Sequence, residues 1–348
     1  MIFLSSLSNL FVILFAGILS VFYAEVLSGS SILWFLDPFG YLVLLPLYMF
    51  HLVILYNFAV MFHRNSPRSL YLFGVLFGLY ETWMTKVVWA GFPGSDQPLL
   101  GAPLGFAIAE MSIVVFVWHP FMSFIAPILT IQIISMHLGN EDYSSKPWII
   151  TFLSKRKLSL FFYFFFAILS GSALALNSGG DLLKSSLGFL GTLLIAYIVY
   201  LIIVKRNPEA LTLDSLIVGK NGLTFMLTYL GLLYILFFFS VRTEAIPGPA
   251  TIVLTILFYL VILLAIFLDR VPNDTNTVTS STSTSLFGKK DILRFYTIIY
   301  VLVVVFSILG ELAFLIIVAA FIATIVIGFI IFAYTFIRIL HTRVKTRK

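Results

Sequence analysis

The chain contains no cysteine. That excludes disulfides, thiolate metal sites and thiol nucleophiles, and it removes any cysteine-based reading of redox compartment. Charge is scarce as well: 10% of the 348 residues are Asp, Glu, Lys or Arg, against about a quarter in a soluble domain. With 61% hydrophobic residues and a mean hydropathy of +1.09, the chain has too little polar surface to cover a globular core of its length. There is no Walker A loop, no GxGxxG before a helix, no GxSxG elbow and no HExxH, so no familiar phosphate-, dinucleotide-, serine-hydrolase or zincin chemistry is written in it. No Lys or Arg precedes the first apolar run, and a cleavable leader is not expected. A convincing internal repeat is also missing, which counts against an inverted-repeat transporter.

What the chain does have is a succession of apolar runs of about 18 to 25 residues, each long enough to cross ~30 Å of hydrocarbon. Backbone groups in lipid must be satisfied inside the segment, so these runs are expected to be helices. The fold class is therefore an all-α, polytopic integral membrane protein of about ten transmembrane helices. The first four crossings are read at Asn9–Leu27, Tyr41–Phe62, Leu70–Trp89 and somewhere in Gly101–Met136. The rest are read at Leu158–Leu176, Leu187–Val204, Leu223–Val241, Ile252–Leu268, Tyr296–Leu309 and Leu312–Ile339. Gly101–Met136 is too long for one straight helix and carries Pro120 and Pro127. It reads as one kinked crossing; a hairpin turning at His119–Pro120 would make eleven.

Charge sets the orientation. With ten helices both termini face the cytoplasm, and every Lys and Arg falls on that side except Lys86, Lys184 and Arg242, a strong positive-inside pattern. The eleven-helix version inverts the first four segments and leaves the C-terminal half unchanged. The location read from this is the cell membrane, with the C-terminus cytoplasmic. The net charge of +6 does not point to nucleic acid, because the basic residues lie between apolar runs where topology requires them. Three regions follow: 1–140, holding nearly all the intramembrane ionisable groups; 141–340, aliphatic and aromatic; and a basic tail, 341–348. Within the second, the loop at 271–291 contains the Ser/Thr-rich tract Val271–Phe287, expected to be disordered. Its Asn273-Asp274-Thr275 triplet reads as a chance glycosylation pattern.

Ionisable groups in a membrane segment are costly and usually functional. Glu81, Glu110 and Lys86 are the candidate catalytic or proton-handling groups; Glu25, Asp37, His51, Asp96 and His119 are candidates for lining a substrate or proton path. All six of Glu25, Asp37, Glu81, Lys86, Asp96 and Glu110 belong to one side of the membrane in either topology, which predicts a one-sided polar cavity walled by the first four helices. At 1.5 Å per residue, Glu81 and Glu110 would each sit roughly 10–12 Å below the interface. Glu81 and Lys86 are about 140° apart around a helix and do not share a face. Lys86 is expected either to snorkel to the headgroups or to pair with Glu110. No metal-ligand spacing and no stacked-haem spacing is present (His51 and His63 are turned about 120° from one another), so no cofactor is assigned.

Three functions fit. The first is a transporter or proton-translocating subunit, with Glu81 or Glu110 carrying the proton. The second is a membrane enzyme using the carboxylates as acid and base on a lipid-linked or surface substrate. The third is an anchor or assembly subunit of a larger membrane complex. The surroundings are the lipid bilayer, with partner subunits in the third case. Topology is open to direct test in this cysteine-free chain. With ten helices, a cysteine introduced by Ser95→Cys is expected to react with a membrane-impermeant maleimide on intact cells, and one introduced by Ser145→Cys to react only after lysis. Protection at 95 would establish the inverted arrangement instead.

Overall fold

The computed structural model describes residues 7–140, 156–269 and 288–345. Residues 141–155, the Ser/Thr-rich tract with its Asn273 triplet, and the last three residues of the basic tail lie outside the described residues. Among the described residues there is no strand, and ten long helices follow one another. They are α1 (Leu7–Val26), α2 (Gly40–Met61), α3 (Pro67–Thr85), α4 (Ile108–His137) and α5 (Arg156–Asn177). Then come α6 (Leu182–Arg206), α7 (Lys220–Ser240), α8 (Pro249–Leu268), α9 (Lys289–Leu309) and α10 (Phe314–Lys345). Nine of these described helices are long and apolar enough to cross a membrane by length and composition; α3, with Glu81 in its last turns, is the less apolar one.

Two expectations are corrected in detail. The third helix does not run on to Trp89. It starts where Ser66 accepts the Ser69 amide and Pro67 occupies the first turn, and it stops at Thr85 because Lys86 adopts a left-handed backbone, φ +60°. Val87–Ala90 is a separate single turn. Glu81 therefore lies only about 6 Å from the end of its helix. Glu110, expected well inside the next crossing, stands instead in the first turn of α4, because the loop persists to Ala107.

The Gly101–Met136 stretch contains one helix and no hairpin. Met111–Ile125 is wound wide, with i→i+5 bonding, and Pro120 sits inside it. Proline removes an amide donor from the ladder, and wide turns are frequent at functional sites. The Tyr71 hydroxyl donates to the Phe116 carbonyl, 3.0 Å away, in the turn before Pro120.

By packing density the described chain falls into two compact units, each drawn from three stretches. The first takes Met1–Val53, Ala126–Lys220 and Asn273–Phe321; the second takes Ile54–Ile125, Asn221–Pro272 and Ile322–Lys348. In the first unit α1 packs on α6 and α5 on α9. Gly171 of α5 meets Leu302 of α9 so closely that a Cβ would come within 2.6 Å of the leucine Cβ. Small residues that bring helix backbones together are a common basis of packing in lipid, where the hydrophobic effect gives no drive. Phe22, Phe189 and Tyr296 meet edge to face nearby.

In the second unit the tightest seam joins α3 to the wide stretch of α4. A Cβ on Gly74 would lie 2.4 Å from the Pro120 Cα, and one on Gly78 2.9 Å from the Val115 Cα. Both obstacles are backbone, which has nowhere to move. Gly74→Ala is expected to cost about 1–3 kcal/mol through overpacking, read as a lowered melting temperature in detergent. Gly231→Ala on α7, where a Cβ meets nothing within 4 Å, is expected to be neutral or stabilising by under about 1 kcal/mol. Equal melting temperatures for the two variants would contradict the seam.

Candidate functional site

The α3–α4 seam sets the position of the one close acid–base contact among the predicted site residues. Gly78 lets α4 approach until the His119 Cβ lies 3.3 Å from where a Gly78 Cβ would be. One turn further along α3, Glu81 Oε2 stands 3.2 Å from His119 Nε2. The other ring nitrogen, Nδ1, is 2.6 Å from Ser123 Oγ, four residues on along α4. Phe77 stacks on the imidazole face with ring centres 5.5 Å apart. Carboxylate, imidazole and hydroxyl thus form a continuous chain whose burial is graded: the Glu81 side chain keeps 16% exposure, His119 has 3% and Ser123 none. His119 lies about 16 Å along α4 from its start. That depth is well inside hydrocarbon, where an ionised group must be paired or line water.

Glu110 and Lys86, grouped with Glu81 as candidate catalytic or proton-handling groups, are engaged elsewhere. Glu110 is fully buried, and its Oε1 accepts the Leu99 amide at 2.8 Å. The loop between α3 and α4 is thereby tied to the first turn of α4, where a negative charge suits the helix dipole. A Cβ on Gly91 would come 3.0 Å from the same oxygen, which keeps that position small. Glu110 Oε2 is buried with no hydrogen-bond partner among the described residues.

Lys86 neither snorkels to the surface nor pairs with Glu110. It is fully buried, and Nζ donates to the carbonyls of Met84 (3.1 Å), Phe237 (2.7 Å) and Phe238 (2.8 Å). The last two lie at the C-terminal end of α7, where the Phe237 carbonyl also accepts the Val241 amide and where the final carbonyls of a helix run out of partners within it. Arg242, just past α7, returns the contact: its Nη1 donates to the carbonyls of Thr85 (3.2 Å), the last residue of α3, and Gly91 (2.8 Å). Both cations sit on left-handed backbone, φ +60° and +48°, so each helix turns aside at its end and sends a cation to the end of the other. Cations suit helix C-termini electrostatically. Lys86 and Arg242 are two of the three exceptions to the positive-inside pattern, and helix capping accounts for both. Trp83, Trp89, Tyr234 and Phe238 pack around them. Asp96 is exposed on the loop.

At the other end of α3, the second unit holds a cluster that sequence reasoning missed. Asp269, 1% exposed, accepts from the Ser69 hydroxyl at 2.7 Å and from Ser66, and Arg68 Nη2 lies 2.9 Å from its Oδ1. Arg64 donates to the Asp269 and Phe267 carbonyls at 2.8 and 3.0 Å. The segment 63–68, His-Arg-Asn-Ser-Pro-Arg, is one of the basic stretches between apolar runs that were read only as topological. The signal for more was Ser66 and Ser69, on either side of a helix start at Pro67, together with an acid directly after an apolar run.

In the first unit, Glu25 is buried in a wide turn at the end of α1 and accepts a short hydrogen bond from the Tyr48 hydroxyl. His51 is buried, with Nδ1 2.8 Å from the Leu47 carbonyl one turn back. Asp37 is exposed and caps the entry to α2, accepting the Phe39 amide at 2.9 Å. The same unit buries a hydroxyl chain in which Tyr23 is 2.8 Å from both Thr130 and Tyr296. None of these three was singled out from sequence, because hydroxyls in apolar runs carry no charge to flag them.

Helices of this length and hydropathy, with ionisable groups buried among them, define a multi-pass helical membrane protein. From residue 14 to residue 348 the chain matches a family described as an uncharacterized membrane protein family, and it belongs to that family. A relative from Archaeoglobus fulgidus, described as an uncharacterized protein, is 38% identical over 121 residues. That match covers 35% of this chain and 37% of the relative. No solved structure matches the chain.

The capping role of Lys86 makes a direct prediction. Lys86→Met removes the three hydrogen bonds of Nζ, among them the one to the Phe238 carbonyl, at a cost of about 1–3 kcal/mol. The measurement is thermal unfolding in detergent, and a variant as stable as the parent would rule the cap out.

Proposed function

We propose that the protein is a transporter or the proton-translocating subunit of a membrane assembly, and that Glu81 and His119 together hold the proton it moves. The observation that carries this reading is the 3.2 Å contact between Glu81 and His119, continued to Ser123, on a wide-wound proline-bearing stretch of α4. A carboxylate and an imidazole in contact share a proton that can sit on either, and both residue types serve in intramembrane proton relays. The burial gradient supports loading from the Glu81 end. Wide turns around Pro120 supply a segment of helix whose hydrogen bonding can change register without breaking.

The enzyme reading fares less well on the same contacts. A carboxylate–imidazole–serine chain has the residue types of a hydrolytic triad, but a nucleophile must reach its substrate, and here the hydroxyl is the buried end. Lys86, the group suited to an anionic headgroup, spends its donors on main-chain carbonyls. In this proposal Lys86 and Glu110 hold helix ends and loop in place. The positive-inside pattern puts the C-terminal end in the cytoplasm, as an orientation that belongs to the same proposal.

The test is proton flux into liposomes carrying the purified protein and an entrapped pH-sensitive dye, driven by an imposed potassium diffusion potential. Wild type is expected to acidify the lumen, Glu81→Gln and His119→Gln to fall to the rate of protein-free liposomes, and Ser123→Ala to slow the flux partially. Flux in Glu81→Gln equal to wild type would sink the proposal.

A further inference from the structure

Away from these contacts, in the first unit, α5 and α9 close tightly where Gly171 meets Leu302 and touch again where Tyr163 packs on Phe295. Beside that second contact lies a groove of about 430 Å³. Its walls are apolar, with Leu160 and Phe164 from α5 and Leu293 and Ile298 from α9, while Tyr163 and Arg294 stand among them. Leu160, Phe164 and Leu293 are exposed, which for a membrane-spanning helix means facing hydrocarbon chains.

Of the basic residues, Arg294 lines the groove, and Lys289 and Lys290, also exposed, precede it in the first turn of α9. The acid among them, Asp291, is already committed: its Oδ2 accepts the Gly288 amide at 2.8 Å, and its backbone carbonyl accepts from the Tyr163 hydroxyl at 3.3 Å. Arg294 touches Asp291 Oδ1 at 3.3 Å, but the arginine side chain is 71% exposed. A pair that open holds little energy and leaves the guanidinium available to a better anion. Arginine also offers parallel N–H donors matched to phosphate oxygens.

We propose that this groove is a binding site for one anionic phospholipid, whose hydrocarbon chain lies along Leu160, Phe164, Leu293 and Ile298 and whose phosphate is held by Arg294 with Lys289 and Lys290. Charge complementarity selects this occupant. A zwitterionic lipid would bring its own cation to a helix start that carries three cations against one acid, and an apolar helix would leave those charges unmatched. Basic pockets at the ends of transmembrane helices are a known way of choosing lipid headgroups. The site is independent of the proton pathway proposed above.

The experiment uses the full chain, purified in detergent, stripped of lipid, and given phosphatidylglycerol or phosphatidylcholine. Retained adducts are counted by native mass spectrometry, and the melting temperature is followed in parallel. Wild type is expected to retain phosphatidylglycerol in preference and to be stabilised by it. Arg294→Ala should lose about fivefold or more of that preference, while Arg294→Lys keeps most of it. Leu293→Trp, which fills the groove without touching the rim, should lose the adduct itself. Equal retention of the two lipids by wild type, or an unchanged preference in Arg294→Ala, overturns the proposal. So does inorganic phosphate stabilising the protein as well as phosphatidylglycerol, which would make this a free-anion site. A dimer that Leu293→Trp dissolves would overturn it in favour of a second copy in the groove.

Discussion

A backbone carbonyl in hydrocarbon has no water to turn to, and this constraint organises the second unit of the protein more than any apolar contact does. Polar side chains from other elements reach its main-chain carbonyls both at helix ends and within helices. Tyr71 reaches the Phe116 carbonyl before Pro120, Ser112 reaches the Ile325 carbonyl, and Tyr80 reaches that of Leu230. Lys86 and Arg242 exchange places to finish the ends of α7 and α3. Groups that look functional in a hydropathy plot are thus partly engaged in keeping main chain satisfied. An interpretation that assigns every buried charge to a substrate path would count them wrongly.

Within that framework Glu81 and His119 differ from the rest. The contacts that join them run between side chains, Glu81 to His119 and His119 to Ser123, and involve no helix-end carbonyl. A seam of glycines holds their helices at backbone distance, so the separation of the two groups is set by main-chain geometry. Glu81 and Glu110 were read from sequence as equivalent, two carboxylates at matching depth. The fold distinguishes them by partner: Glu110 faces an amide and anchors a loop, whereas Glu81 faces a base.

The crossings were legible in the chain because an apolar run of membrane length has few alternatives, and the class of protein followed from composition. The number of helices through Gly101–Met136 was legible for a related reason, since the stretch leaves little room for a turn. Helix ends were less so. α3 stops four residues before the last apolar residue of its run, because Lys86 takes a left-handed backbone that serves a carbonyl 151 positions later. No local pattern contains that information. Ser123 could have been found, standing four residues after His119 on the same helical face. The Asp269 cluster could not have been placed, since it joins the 64–69 loop to an acid 200 residues further on.

The exchange between Lys86 and Arg242 has a consequence for how the chain is made. α3 leaves the ribosome long before α7, and until α7 arrives the Thr85 carbonyl lacks its guanidinium and Lys86 has only Met84 to bind. The end of α3 is therefore incomplete during most of synthesis, and it stays inexpensive only while it remains in contact with water or with the insertion machinery. A chain that stopped between the two helices would keep α3 but lack two of the three Lys86 contacts and both of those made by Arg242, so the end of α3 is finished by residues made 151 to 157 positions later.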